Sequence, residues 1–276
     1  MSPQSSRWAQ VLLAPGDVMR RWWDAQTRPM KWVFGVLLFA IVALLPLYTP
    51  PFLDTPGISF GGTMAQFAMV AIIAIGLNVV VGQTGLLDLG YVGFYAVGAY
   101  TVALLTSPDS PWNQVGDNGF LNKDWAWLAC VPIAMAVTAL AGLILGTPTL
   151  RLRGDYLAIV TLGFGEIIRL LADNLTDVTN GPRGLNSIAY PRLGESERLP
   201  NGVFSSGNSA GDANYGTWWF WLGLVLIVAI LLLVGNLERS RVGRAWVAIR
   251  EDEDAAEVMG VNTFKFKLWA FVIGAG

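Results

Sequence analysis

The chain has 276 residues, of which 54% are hydrophobic and only 14% are charged, and its formal net charge is −2. Soluble domains carry about a quarter charged residues, so this composition argues against a soluble globular protein, and the charge gives no basic surface for nucleic acid. The sequence contains no histidine, which removes the commonest general base and the commonest metal ligand. We therefore expect a membrane protein that is not an enzyme and holds no metal.

Seven apolar runs divide the chain. A helix that crosses a bilayer needs about 20 mostly apolar residues, because unpaired backbone groups are intolerable in hydrocarbon. The sequence therefore predicts an all-α fold, a polytopic transmembrane helical bundle with about six complete spans and a truncated seventh. The predicted spans are 32–48, 63–81, 86–106, 125–147, 156–172 and 218–235, and the seventh begins near Leu268 and is cut off at Gly276.

The basic residues predict the orientation of the bundle. With the N-terminus inside, cytoplasmic segments hold thirteen of the eighteen Lys and Arg residues and outer segments hold four, which is the expected positive-inside bias. We therefore expect 1–31 to be a cytoplasmic N-terminal segment and 32–276 to form the transmembrane domain. Within that domain, 173–217 is predicted to be extracytoplasmic and 238–267 to be a cytoplasmic loop.

Polar residues and glycines interrupt the second and third predicted spans. Glycines let helices approach closely and also permit a broken helix beside a cavity. Tight packing around a hydrogen-bonded asparagine is one interpretation, and a segment that lines a translocation pathway is the other. The candidate pathway residues here are Asn78, Gln83, Thr84, Gly85, Asp88, Gly90 and Gly93.

Two charged residues lie inside the fifth predicted span. Glu166 and Arg169 are three residues apart, so on a helix they share a face and can pair. Charges within a span are costly and usually face the bundle interior. They are further candidates for the pathway, although a static ion pair that joins helices is an equal alternative.

The predicted cytoplasmic loop has a basic first half and an acidic second half. Its composition is typical of a solvated loop, but it also looks helical, with a thin apolar seam that could dock on another protein. Gly260 followed by Asn262 is a predicted helix stop. The residues of the seam are Ala245, Ile249, Ala255, Ala256 and Met259.

Residues 254–260 (DAAEVMG) resemble the EAA-x-x-x-G loop of the permease subunits of ABC importers, with Asp in place of the leading Glu. The distal I-x-L-P part of that pattern is missing. Stretches at 76–90, 92–100, 153–169, 179–185 and 243–253 are similar to the LivM-type family of branched-chain amino acid permeases. The resemblance covers the chain from about residue 60 to its end, and members of the family continue further, so the chain is expected to be truncated.

The resemblance implies a permease subunit in the bacterial inner membrane that forms a pair with a second, LivH-like permease. It also implies two ABC ATPase subunits and an extracytoplasmic amino-acid-binding protein. No G-x-x-x-x-G-K-[ST] phosphate loop occurs in the sequence, so ATP is expected on the partner subunits and no cofactor on this chain. The residues that would couple to the ATPase are Arg244, Ala245, Ile249, Asp254, Ala255, Ala256, Met259 and Gly260.

Residues 180–184 are expected to form a turn on the outer side, and the resemblance offers contact with the binding protein as an alternative role. The residues concerned are Asn180, Gly181, Arg183 and Gly184.

Other functions remain open at this point. A permease of the same family for urea, amides or another small polar solute fits nearly as well. A secondary transporter needs acidic residues in mid-span for ion coupling, and only the Glu166/Arg169 pair qualifies. The carried solute cannot be read from the sequence, because the binding protein would select it.

Overall fold

The computed structural model describes residues 28–47, 59–112, 126–150, 152, 155–188, 190–191, 193, 202–205 and 215–276. All regular structure within these ranges is helical, as the sequence predicts. The chain forms two compact units, Met1–Asp54 and Thr55–Gly276. The predicted cytoplasmic segment 1–31 lies outside the described residues except for the start of the first helix.

In the first unit, α1 spans Arg28–Leu44 and a 3-10 turn follows at Leu45–Leu47. This helix matches the first predicted span and begins four residues earlier. Most of its described side chains are exposed on the surface of the unit. This exposure is consistent with an apolar helix that faces lipid.

The second unit contains nine helices among the described residues. They are α2 (Phe60–Asn78, continued by a π-helical segment, Val79–Gln83), α3 (Val92–Thr106), α4 (Ala126–Thr149), α5 (Asp155–Asn174), α6 (Thr176–Thr179), α7 (Tyr215–Arg239), α8 (Arg241–Glu251), α9 (Glu253–Val258) and α10 (Thr263–Ala275).

Three described helices are long and apolar enough to cross a membrane: Phe60–Gln83, Trp127–Thr149 and Gly216–Arg239. At about 1.5 Å per residue each is roughly 35 Å long, which exceeds the ~30 Å hydrocarbon core. Val33–Leu47 and Val92–Thr106 are shorter apolar helices. The helix α5 is long enough, but it carries too many charged residues to belong to the first group.

Two predicted boundaries are wrong. The third helix begins at Val92 rather than Leu86, because Gly85 has φ +72° and ends the preceding helix, and the chain to Tyr91 is not helical. The last helix begins at Thr263 rather than Leu268. There the Asn262 side chain accepts a hydrogen bond from the Lys265 backbone N–H (3.0 Å), which is an N-terminal cap that starts the helix early.

The helices of the second unit pack in pairs. The helix α2 lies along α7, α3 lies along α4, and α4 also packs against α10. Cys130 of α4 is fully buried, which fits a packing role. A buried apolar cluster joins α3, α5 and α10 to the π-helical segment, and its members are Val80, Leu86, Tyr91, Phe94, Leu150, Leu157 and Phe271.

Candidate functional site

The end of α2 is wound as a π-helix. Residues Val79–Gln83 form this segment, a rare conformation that is frequent at functional sites. Thr84 is buried, and its hydroxyl donates to the Val80 carbonyl oxygen at 2.5 Å. Because Gly85 then turns the chain, the helix stops here although the sequence stays apolar.

The linker from Gly85 to Tyr91 is fixed against two other helices. The Leu89 backbone N–H donates to Thr161 Oγ1 of α5 (3.0 Å), and the Tyr91 hydroxyl donates to the Gly274 carbonyl oxygen of α10 (2.5 Å). Asp88 is buried, and its Oδ1 accepts from the Gly90 N–H at 2.9 Å. In this structure the broken segment is therefore packed against α5 and α10.

Gly90 is required at its position by a close approach. A Cβ atom there would overlap the backbone carbonyl oxygen of Thr161. Gly93, one turn later, faces the Phe164 ring in the same way. These glycines let the linker and α3 approach α5 closely, so the packing explanation holds for both.

The chain leaves α7 through a capped turn into two short helices. Ser240 caps α8, since its hydroxyl accepts from the backbone N–H groups of Val242 and Gly243. Asp252 caps α9 by accepting from the Ala255 N–H at 3.0 Å. Gly260 has φ +87°, and the N–H groups of Gly260 and Val261 bond to the carbonyls of Glu257 and Ala256. This is the Schellman stop that glycine favours, and it confirms the predicted end of the helix.

Trp246 anchors α8 to the bundle. It is fully buried, packs with Val79 and Ala270, and donates its indole N–H to the Phe266 carbonyl oxygen at 2.7 Å. Sequence analysis did not select it as a site residue. The spacing Gly243, Trp246, Ile249, with all three residues buried, is the signal that could have revealed this face.

The helix α9 presents a different face from the predicted seam. Ile249 of α8 and Ala256 are buried within the chain, so they face the protein itself and not an outside partner, and Ala245 is half-buried. Ala255 and Met259 instead face outward, and Val258 and Met259 are 87% and 83% exposed. Val258 and Met259 therefore form an exposed apolar patch at the C-terminal end of α9, which we call the α9 tip (Val258, Met259).

An ion pair ties α9 to the last helix. Lys267 Nζ lies 2.5 Å from Glu253 Oε2, and the lysine side chain is only 7% exposed. Among the other predicted coupling residues, Arg244 is exposed and donates to the Arg239 carbonyl oxygen, and Asp254 is exposed. The helix that carries the α9 tip is therefore attached to α10 by this ion pair.

Polar contacts from both α7 (Glu238) and α8 (Arg250) hold the π-helical segment directly. Arg250 donates to the Gly82 carbonyl oxygen at 2.8 Å, and Gln83 Nε2 donates to Glu238 Oε1 at 2.7 Å. Sequence analysis missed Glu238 and Arg250, because these contacts join residues more than 150 positions apart. Two of the predicted pathway residues, Asn78 and Gln83, line a cavity of about 340 Å³ at this junction.

Glu166 and Arg169 do pair, at 2.6 Å, but they do not behave as expected. Arg169 also bonds Asp173 at 2.8 Å, so all three charges lie on α5, and both members of the pair are more than half exposed. Within the described residues the pair joins no second helix, and its charges are exposed rather than turned into the bundle. Spacings of three and four residues bring the three side chains to one helix face.

The predicted outer turn is present. Gly181–Arg183 forms a 3-10 turn after Asn180, whose φ of 62° is left-handed, and Arg183 is exposed. The Asn180 side chain donates to the Gly184 carbonyl oxygen at 2.8 Å, which closes the turn on itself. Much of the predicted outer segment around it (189, 192, 194–201 and 206–214) lies outside the described residues.

Replacing Trp246 by alanine should destabilise the protein by about 3–5 kcal/mol, because it removes a fully buried ring and opens a cavity beside α10. Thermal unfolding of the purified protein in detergent measures this effect. Trp246→Phe is the matched control, since it keeps a six-membered aromatic ring and loses the bond to Phe266 with part of the ring volume, so it should be destabilised less than the alanine variant. Equal stability of the alanine variant and the wild type would contradict the anchoring role.

Comparison with known proteins adds family membership to this geometry. Residues 59–276 match the family described as branched-chain amino acid transport system / permease component. The high-affinity branched-chain amino acid transport system permease protein LivM of Salmonella typhimurium is 42% identical over 246 residues, which is 86% of this chain and 54% of that protein. LivM of Escherichia coli is 41% identical over the same shares.

A second type of permease from the same kind of system is more distant. The Escherichia coli permease protein LivH is 26% identical over 221 residues, or 79% of this chain and 65% of that protein. The chain spans about half the length of the LivM proteins it matches. No solved structure matches the chain significantly. The family match covers the π-helical segment, the linker and the α8–α9 segment together, and the chain belongs to the branched-chain amino acid transport system permease component family.

Proposed function

We propose that this chain belongs to a membrane-spanning permease subunit of an ABC importer that carries branched-chain amino acids across the bacterial inner membrane. A separate extracytoplasmic protein binds and delivers the amino acid, and separate ATPase subunits bind and hydrolyse ATP. The chain itself is then neither an enzyme nor a cofactor protein. The similarity to both LivM and LivH supports a pair of related permeases, in which a LivH-like subunit is the partner.

The α9 tip carries this proposal. Two large apolar side chains, on the last residue of a six-residue helix and on its C-cap, are more than four-fifths exposed and have no packing role within the described chain. Exposed apolar groups on an otherwise charged surface are typical of a protein contact. A short helix held by caps at both ends and an ion pair at its base fits insertion into a groove on an ATPase subunit.

Force applied to α9 has a direct route into the bundle. The helix α9 follows α8 after one residue, Trp246 fixes α8 against Val79, and Arg250 holds the Gly82 carbonyl. Movement of the ATPase subunits would thus reach the π-helical segment through α8. In this proposal Asn78, Gln83, Thr84 and Asp88 belong to the part of the permease that rearranges during transport.

The proposed topology places the N-terminus and the α8–α9 segment in the cytoplasm and the turn at Asn180–Gly184 outside. The six spans and a seventh, incomplete one correspond to α1–α5, α7 and α10. The exposed Arg183 and the compact turn around it support contact with the binding protein on the outer side.

Labelling with a membrane-impermeant maleimide tests this topology. Cysteines are introduced one at a time at the exposed positions Asp177 and Glu257. The native Cys130 is buried and should stay unlabelled, so wild-type protein is the control. We expect Asp177→Cys to react in intact cells treated to open the outer membrane, and Glu257→Cys to react only after the inner membrane is permeabilised. The reverse pattern would contradict the orientation.

Co-purification tests the assembly. The whole protein, tagged and extracted in mild detergent, should bring down two ABC ATPase subunits and one related permease, identified by mass spectrometry. Reconstituted with them and the binding protein, it should take up leucine, isoleucine or valine only with ATP. Recovery of the protein alone, with uptake that proceeds without ATP, would instead establish a secondary transporter.

A further inference from the structure

The Asp88 carboxyl is enclosed between the linker and α5. The residue is only 4% exposed, and its Oδ1 accepts the backbone N–H of Gly90 at 2.9 Å. Its Oδ2 has almost no accessible surface and no hydrogen-bond partner among the described residues. Buried polar atoms are almost always paired. Because nothing outside the chain can reach this oxygen while the linker is packed, its partner must be found inside the enclosure.

No described cation neutralises this carboxyl. The ion pairs among the described residues involve other acidic side chains. The side chains that face Asp88 are the uncharged Thr161 of α5 and Tyr91 of the linker, whose hydroxyl donates to the Gly274 carbonyl oxygen of α10. An isolated carboxylate is very costly to bury, and such a group takes up a proton instead. The surroundings therefore favour the neutral acid.

The hydrogen bonds of Thr161 fit a protonated neighbour. Its hydroxyl donates to the Ala158 carbonyl oxygen at 3.0 Å and accepts the backbone N–H of Leu89 at 3.0 Å. A hydroxyl has one hydrogen to donate and two acceptor sites, so one acceptor site of Thr161 remains. A carboxylate has no hydrogen to give to that site, whereas a carboxylic acid has one. The polar group beside Asp88 thus matches the acid and not the anion.

We propose that Asp88 is a proton-binding site, whose carboxyl is neutral while the linker is packed against α5 and ionises when the two separate. On separation the acid gives its proton to water and becomes a hydrated carboxylate. The proposed topology places the linker at the cytoplasmic end of the bundle, so the proton is exchanged with the cytoplasm. This inference goes beyond the proposed function, because the site needs neither a transported solute nor ATP.

The site makes the contact between the linker and α5 depend on pH. A hydrated aspartate has a pKa of about 3.9, so above that pH the packed state holds one proton more than a state in which Asp88 meets water. A state that binds an extra proton is favoured at low pH and loses this advantage as the pH rises. Acid therefore stabilises the packed linker, and alkali favours its release.

Thermal unfolding of the whole protein in detergent, measured as a function of pH, tests the site. Asp88→Asn is the informative variant, because the amide keeps an acceptor for Gly90, supplies an N–H group for Thr161 and carries no charge at any pH. We expect the melting temperature of wild type to fall relative to that of the variant between about pH 5 and about pH 8, by roughly 2 °C or more per pH unit.

Asp177→Asn is the matched control. It removes the same charge from an exposed side chain, so its melting temperature should follow that of wild type at every pH. A difference between Asp88→Asn and wild type that does not change with pH would show that Asp88 is already ionised in the folded protein. That result, or a variant that loses stability relative to wild type as the pH rises, would overturn the site.

Infrared spectroscopy detects the proton itself. Hydrated carboxyl groups are ionised at about pH 7, so a C=O stretching band of a neutral carboxylic acid at this pH identifies a protonated buried group. We expect this band in wild type and in Asp177→Asn, and we expect Asp88→Asn to lack it. Labelling the side-chain carboxyl of aspartate with a heavy carbon isotope should lower the frequency of the band in wild type, a test that needs no variant. Absence of the band would overturn the site.

Neither measurement depends on transport, so the site and the proposed function can fail separately. ATP-dependent uptake of leucine by a protein without the acid band would overturn the site and leave the importer. The acid band together with pH-dependent stability, in a protein that shows no ATP-dependent uptake, would support the site and overturn the importer.

Discussion

Met259→Glu is expected to lower ATP-dependent uptake at least tenfold while the free energy of unfolding stays within about 0.5 kcal/mol of wild type. Met259 is 83% exposed, so the new charge disturbs no packing within the chain. It would, however, be buried if the α9 tip enters a groove on the ATPase subunit. A central apolar contact of an interface contributes about 2 kcal/mol or more, which corresponds to more than a tenfold change in binding.

Uptake into proteoliposomes and recovery of the ATPase in co-purification measure this effect. Met259→Leu is the matched control, because it keeps an apolar side chain of similar size and should retain uptake. Ala256→Glu should fail for a different reason, since Ala256 is buried and its replacement should lower stability as well as uptake. Normal uptake in Met259→Glu would contradict the proposed contact between the α9 tip and the ATPase.

Gly90→Ala is expected to destabilise the protein by about 3 kcal/mol and to abolish uptake. The added methyl group would overlap the Thr161 carbonyl oxygen, and backbone atoms cannot move aside as a flexible side chain can. Separation of the linker from α5 would also strain the hydrogen bond from Leu89 to Thr161. The melting temperature in detergent and the uptake rate measure the two effects.

Gly163→Ala is the matched control for this prediction. It adds the same methyl group to α5, two residues after Thr161, where nothing lies within 4 Å of the new atom. Alanine favours a helix interior over glycine by about 1 kcal/mol, so this variant should be at least as stable as wild type. Similar behaviour of the two variants would contradict the close approach of the linker to α5.

Most helices could be predicted from the sequence, because apolar runs of about 20 residues have few alternatives. The helices at Ala126–Thr149, Asp155–Asn174 and Tyr215–Arg239 lie within four residues of their predicted bounds. The late start of α3 could not be predicted, because Leu86–Tyr91 is apolar enough for a helix. What prevents a helix there is the left-handed Gly85 and the contacts with Thr161 and Gly274.

The candidate site could be predicted only in part, because local patterns are visible in the sequence and contacts between distant residues are not. The helical nature of the α8–α9 segment and its stop at Gly260 follow from local patterns, and the structure confirms both. The orientation of α9 does not, because six residues make fewer than two turns and two faces fit the pattern equally well. The contacts of Trp246, Glu238 and Arg250 depend on residues distant in sequence, and periodicity carries no information about them.

The charged face of α5 has a consequence for biogenesis. Glu166, Arg169 and Asp173 form a linked trio that is about half exposed on this chain. If α5 crosses the bilayer as proposed, lipid is a costly environment for such a face, so a partner subunit, a part of this protein outside the described residues, or water would have to cover it. Where a partner subunit provides this cover, a subunit inserted without it would be an orphan that displays the charged face to the membrane. Quality-control proteases could recognise the orphan, so that the cell keeps only matched amounts of the transporter's subunits.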